Sequence, residues 1–130
     1  MSGPIVFVSR WRVFSGRRDA WVNAYTAANA AIGAAKPRTA LFAAYLDADD
    51  SETRILHVFP DAAAVEQHFA GSDDRTSSVA DLIIPVGYEL YGPAPTSAVD
   101  QLSREAAASR VDLEVFPTLV AGYMRSPADA

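Results

Sequence analysis

The chain has two histidines, His57 and His68, and both fall in one segment, Ile55 to Gly71 (Ile-Leu-His-Val-Phe-Pro-Asp-Ala-Ala-Ala-Val-Glu-Gln-His-Phe-Ala-Gly). An imidazole titrates near pH ~6.5 when unperturbed, so it can take or give a proton at neutral pH. His57 sits in the middle of an apolar run, where solubility does not explain it. It either faces a cavity with a chemical or ligand role, or it is a hydrogen-bonded core or edge residue. His68 follows Pro60-Asp61 on a short helix beside Phe69; capping, packing or facing solvent are its plainer alternatives. Trp11, Tyr45, Tyr88, Tyr91 and Asn23 are candidate lining or donor groups. Trp11 and Tyr45 also read as ordinary core aromatics, Asn23 lies off the buried stripe of its helix, and Glu89 reads as a rim residue.

Other chemistries are excluded or poorly supported. The chain has no cysteine, which removes disulfides, thiolate metal sites and cysteine nucleophiles. Two histidines separated by a turn, with no facial carboxylate, are not a metal signature. No glycine-rich phosphate loop, Gly-x-Ser-x-Gly elbow or histidine-glutamate zinc motif is present. A net charge of −5 argues against a general nucleic-acid binder, which needs a basic surface to displace counterions. Arg10, Arg12, Arg17 and Arg18 gather locally, and they read as a solvated edge paired with acids rather than as an anion site.

The elements that must position the histidines follow from patterning. At 130 residues, half of them hydrophobic, the chain reads as one compact domain, with a core over 1–95 and an extension over 96–130. Ile5 to Phe14 reads as a strand. A helix follows, with Ser15 as N-cap, Asp19 in its first turn, and Trp21, Tyr25, Ala28 and Ile32 as its buried stripe; Gly33 and Lys36-Pro37 close it. Thr39 to Leu46 and Thr53 to Phe59 read as a hairpin around an acidic turn. Asp61 caps a second helix with Val65 and Phe69 on its core face. A helical turn is expected over Thr76 to Leu82, then a strand from Ile83 to Tyr91 stopped by Gly92-Pro93 and Pro95. This order, β-α-β-β-α-β, predicts an α+β, ferredoxin-like fold on an antiparallel sheet. Ser97 and Asp100 suggest a capping box for a third helix striped by Val99, Leu102 and Ala106. Val111 to Phe116 and Leu119 to Met124, divided by Pro117, read as a terminal strand or strand pair, and a disordered tail is expected after Ser126.

Both faces of these strands are apolar: Ile5, Phe7, Trp11 and Val13 alternate with Val6, Val8 and Phe14, and Leu41 and Tyr45 with Phe42 and Leu46. Helices cover one face of such a sheet. A bare apolar face in water requires a partner, and a homodimer lets one sheet cover its copy. Apolar runs are strand-sized, short of the ~20 residues that span a membrane. The N-terminus lacks the pattern of a secretory signal, so a cytoplasmic location is expected.

With its sheet packed on a twin, such a unit resembles the dimeric α/β barrel proteins, and within them the antibiotic biosynthesis monooxygenase family. The likeness rests on the strand-Pro-Asp-Ala-Ala-Ala-Val-Glu-Gln-His segment, with Phe59 at the usual aromatic position and His68 as the usual helix histidine. The opening Val-x-Arg-Trp-Arg-Val and the strand Gly-Tyr-Glu-Leu-Tyr-Gly also fit, and the likeness covers roughly the first 95 residues. The chain departs from the pattern at His57, where many relatives carry glutamate, and at Asp73 and Asp74, where a second histidine is common. The resemblance implies oxidation of a small phenol, anthrone or quinol by dioxygen without metal, flavin or other cofactor. It implies an apolar cavity, His57 as the base that removes the phenolic proton, and Phe59 among the substrate contacts. Related folds also degrade haem through an axial histidine, a role only His57 or His68 could fill here. The alternative is a non-catalytic homodimer that binds a small apolar ligand or serves as a structural module. A barrel interior holding His57 and a tyrosine hydroxyl would favour chemistry, and a filled, dry barrel the structural role.

Overall fold

The computed structural model describes residues 3–125; the tail read after Ser126 lies outside the described residues. The elements are β1 (Ile5–Val13), α1 (Arg18–Ala35), β2 (Leu41–Leu46), β3 (Glu52–Phe59), α2 (Ala62–Phe69), α3 (Ser72–Ser77), β4 (Ile83–Tyr91), α4 (Thr96–Ser109) and β5 (Asp112–Phe116). The strands form one sheet in the order β2-β3-β1-β4-β5. The first four strands pair antiparallel in the α+β, ferredoxin-like arrangement. β5 joins β4 in parallel, because α4 carries the chain back along the sheet before it re-enters as a strand.

Strand parity decides which side chains meet the helices. On β1, Ile5, Phe7, Ser9, Trp11 and Val13 are buried on one face, and Ser9 accepts the Trp11 indole N–H at 2.8 Å. On β3 the same face carries Thr53, Ile55, His57 and Phe59, and on β4 it carries Tyr88 and Leu90. Helices close over it with Trp21 from α1, Ala64 and Val65 from α2, and Ala98, Leu102 and Ala106 from α4. The opposite face carries Val6 and Val8 from β1, Leu56 and Val58 from β3, Leu41 and Tyr45 from β2, and Tyr91 and Phe116 from β4 and β5. Among the described residues no helix covers it, and Leu41, Tyr45 and Phe116 are exposed.

Local signals fix some boundaries and miss others. Asp61 caps α2 by accepting the Ala64 N–H at 2.9 Å, and Arg38 pairs with the same carboxylate. Ser15 does not cap α1: the helix begins at Arg18, with Arg17 in the capping position and no side-chain cap. The Ser97–Asp100 capping box does not form either. Pro95 holds the capping position in extended geometry, which puts Ser97 inside the first turn. The helical turn expected over Thr76 to Leu82 comes earlier, as α3, after Gly71 turns the chain in left-handed conformation. Only the first of the two C-terminal apolar runs is a strand; Leu119 to Met124 lies outside any regular element. Among the clustered arginines, Arg10 pairs with Glu52 at 3.5 Å, Arg17 with Asp81 at 3.3 Å, and Arg18 with Asp50 at 3.6 Å. No helix among the described residues is long and apolar enough to cross a membrane.

Candidate functional site

A cavity of about 410 Å³ lies between the sheet and the helices. Its floor is strand-borne: Phe7 and Trp11 from β1, Phe42 from β2, His57 from β3 and Tyr88 from β4. Its walls are Trp21 and Tyr25 from α1, His68 and Phe69 from α2, Arg75 from α3 and Glu105 from α4. The volume falls within the roughly 300–1,000 Å³ of small-molecule sites.

The histidines meet because β3 runs directly into α2 around Pro60-Asp61. Their rings stand edge to face, with centroids 5.0 Å apart, and Phe42 packs on both at 5.1 and 5.3 Å. His57 Nδ1 lies 3.1 Å from the Phe7 carbonyl oxygen. A carbonyl only accepts, so Nδ1 carries the hydrogen and Nε2 keeps the free lone pair. His68 Nδ1 meets the Thr39 hydroxyl at 2.8 Å. Behind the pair stands Phe59, fully buried, its ring 5.3 Å from His68 and 6.2 Å from His57.

The electrostatics follow from burial. Loss of water pushes His57 down to about 4, aided by the nearby Arg75 charge and opposed by the Phe7 carbonyl. Burial pushes His68 down to about 3, with His57, Arg75 and Lys36 adding to the effect. Both imidazoles are therefore neutral at pH 7. Tyr88 is pushed up to about 12 by burial and by Glu105. Glu105 itself is raised, first by burial and then by nearby Asp73, while its hydrogen bond from Gln101 works the other way.

This arrangement carries an expected pH dependence. Unfolded histidines bind protons near pH 6.5; the folded ones do so only near 4 and 3. Between those values the unfolded state holds more protons, so stability is complete above about 6.5 and falls as pH drops towards 4. Urea midpoints measured from pH 7.5 to 4.5 should decline, with proton uptake on unfolding approaching one for each histidine. A midpoint that stays level across this window would contradict the assigned burial.

The sequence-derived candidates divide into two groups. His57, His68, Trp11 and Tyr88 line the cavity. Tyr45, Tyr91, Asn23 and Phe59 do not. Tyr45 pairs with Arg54 on the open face and is 61% exposed, and Tyr91, on the same face, donates to Glu89 at 2.7 Å and stacks on Phe116 at 5.2 Å. Asn23 is exposed on α1, turned away from the Trp21–Tyr25 stripe. The cavity is also not the barrel interior expected from the sequence. Parity turns His57 towards the helices together with Phe7, and leaves the open sheet face to aliphatic residues, charges and the aromatics Tyr45, Tyr91 and Phe116.

Residues missed from sequence include Tyr25, Phe42, Arg75 and Glu105, which line the cavity, and Asn29. Asn29 donates to the Phe42 carbonyl at 2.6 Å and to the Tyr25 hydroxyl at 3.2 Å, tying α1 to β2 beside the cavity. The helical spacing from Tyr25 to Asn29 was the available signal. Among the described residues, no group of three or more His, Asp or Glu side chains is placed to hold a metal ion.

Solved structures share this architecture. MupZ from Pseudomonas fluorescens superposes with a TM-score of 0.66 over 97% of both chains at 16% identity, so the likeness takes in α4 and β5. SnoaB from Streptomyces nogalater, a cofactor-independent oxygenase, matches in its N63A form with a TM-score of 0.56 at 21% identity, over 67% of this chain and 89% of its own. A proposed antibiotic biosynthesis monooxygenase from Caulobacter crescentus gives 0.60 at 14%, over 68% and 88%. The fold is that of the antibiotic biosynthesis monooxygenase-like proteins. No protein-family model and no curated protein matches the chain.

Proposed function

We propose that the chain is a monooxygenase-like enzyme that oxidises a small phenol, anthrone or quinol with dioxygen in the cavity beneath α1, α2 and α4, without a cofactor. The observation that carries this reading is a neutral, buried His57 whose Nδ1–H is committed to the Phe7 carbonyl, which leaves Nε2 as a base in an aromatic-lined cavity. Neutral His57 is a weak base, and transfer to it is favourable only if the charges it creates stabilise each other. In a water-poor cavity the imidazolium and the substrate anion attract strongly, so the burial that penalises a lone imidazolium supports the pair. The carbanion or phenolate then reduces oxygen. For an anthrone, one oxygen atom replaces the two hydrogens of the oxidised carbon, and the other leaves with those hydrogens as water. The fold of SnoaB, a cofactor-independent oxygenase, supports this class of reaction. The test is oxygen uptake by chelator-treated protein with a panel of anthrones and quinols. Uptake accompanied by the quinone product supports the reading, whereas no uptake across the panel transfers the cavity to a ligand-binding role.

The open sheet face supports a second element of the reading, a homodimer in which the two sheets cover each other. Leu56 lies centrally on that face, between Val8 and Ala43. Sedimentation equilibrium should return twice the 13.9 kDa chain mass for the wild type, and a monomer for Leu56→Arg, since an arginine there would be buried without a partner. A monomeric wild type at micromolar concentration would remove this element.

A further inference from the structure

Arg75 differs from the arginines that pair with acids. Arg10, Arg17, Arg18, Arg38 and Arg54 each pair with a carboxylate. Arg75 forms no ion pair among the described residues, yet it is half-buried in the cavity wall beside His68. Its Nη2 donates to the His68 carbonyl at 2.6 Å and Nη1 to the Ala70 carbonyl at 3.0 Å, which uses two of its five N–H groups. These bonds lock the guanidinium against the end of α2 and leave donors free. Burial lowers its pKa without a nearby anion to restore it. The one cavity-lining carboxyl, Glu105, is turned to Gln101 and shifted towards its neutral form. The cavity therefore combines an aromatic body, two neutral histidines and a fixed cation that is paired with no carboxylate among the described residues, Glu105 included.

We propose that the ligand is a small aromatic acid, ionised at neutral pH, whose carboxylate seats on Arg75 while its rings lie against Phe7, Phe42 and Trp21. This names the substrate class of the cavity described above and rests on that cavity being a ligand site. A guanidinium fixed by backbone carbonyls is pre-organised for a planar carboxylate, and in a half-buried wall such a pair outweighs a surface one. The arrangement has a further consequence for His57. Arg75 is one of the charges that hold both histidines neutral. A bound carboxylate offsets that field, so the base gains strength when its substrate arrives.

The test is calorimetric binding of 2-naphthoate and its neutral isostere 2-naphthamide to the wild type, Arg75→Gln and Arg75→Lys. The glutamine amide can still donate to the α2 carbonyls, so it removes the charge while keeping the cap. Wild type and Arg75→Lys should prefer naphthoate by roughly tenfold or more. Arg75→Gln should lose that preference with its naphthamide affinity and melting temperature nearly unchanged. Equal affinities in the wild type, or a preference that survives in Arg75→Gln, would overturn the carboxylate assignment while leaving the cavity as a ligand site. Should Arg75→Gln fail to fold, the wild-type comparison still decides. Binding of neither compound would overturn the assignment together with the cavity reading.

Discussion

His57→Ala should lower oxygen-consuming turnover by about 10²–10⁴-fold, the usual worth of a positioned general base. His68→Ala should keep most of it. The difference follows from what each ring touches. His57 Nδ1–H is spent on the Phe7 carbonyl, so Nε2 is left as the acceptor, while His68 is engaged through Nδ1 with the Thr39 hydroxyl. The pH profile separates a base from a residue that merely shapes the cavity. With His57 near 4 in the free protein, kcat/KM should hold level down to about that pH and fall below it as the imidazole is protonated. An acid limb near 6.5 would instead report an exposed histidine and contradict the role of His57. Equal loss in both single variants, with the melting temperature unchanged, would mean the rings act as one unit.

How much of this was legible in the sequence depends on which physical signal carried each part. Strand identity came from apolar runs bounded by Gly, Pro and Asp, and those runs place all four core strands. The Trp21, Tyr25, Ala28 and Ile32 spacing placed α1, and Asp61 announced α2 because an N-cap needs only local geometry. Face selection was not legible. In β1 and β2 both alternating sets are hydrophobic, so periodicity could not say which set meets the helices. That ambiguity put Tyr45 and Tyr91 among the cavity candidates, although register places them with Arg54 and Val6 on the open side. His57 escaped the error because the cavity follows the ring. Arg75 was invisible for another reason: it lies in the polar Ser72 to Ser78 stretch, where an arginine ordinarily faces water. Only the return of α3 across the end of α2 turns it against His68 and into the cavity wall.

Phe59 links fold to site, and its replacement should give the largest loss of stability. Phe59→Ala should cost about 3–5 kcal/mol, the range for emptying a fully buried phenylalanine position. A domain of this size holds roughly 5–15 kcal/mol in total, so a visible unfolded fraction at 37 °C is within reach. The ring is fully buried and packs on His57, His68 and Phe69, and its strand neighbour Ile5 is also fully buried. No other side chain can close the gap without breaking that packing. Phe59→Leu keeps most of the volume and should recover over half of the loss, as read from urea midpoints. The family resemblance would make Phe59 a substrate contact, and the two roles predict different kinetics. A contact residue would raise KM in Phe59→Leu with little change in stability. A residue that holds the histidines from behind would lower kcat and stability together and leave ligand affinity nearly untouched, because the cavity surface itself is unchanged. The geometry favours the second outcome: the ring lies on the far side of both imidazoles, so it can reach the reacting atoms only through them.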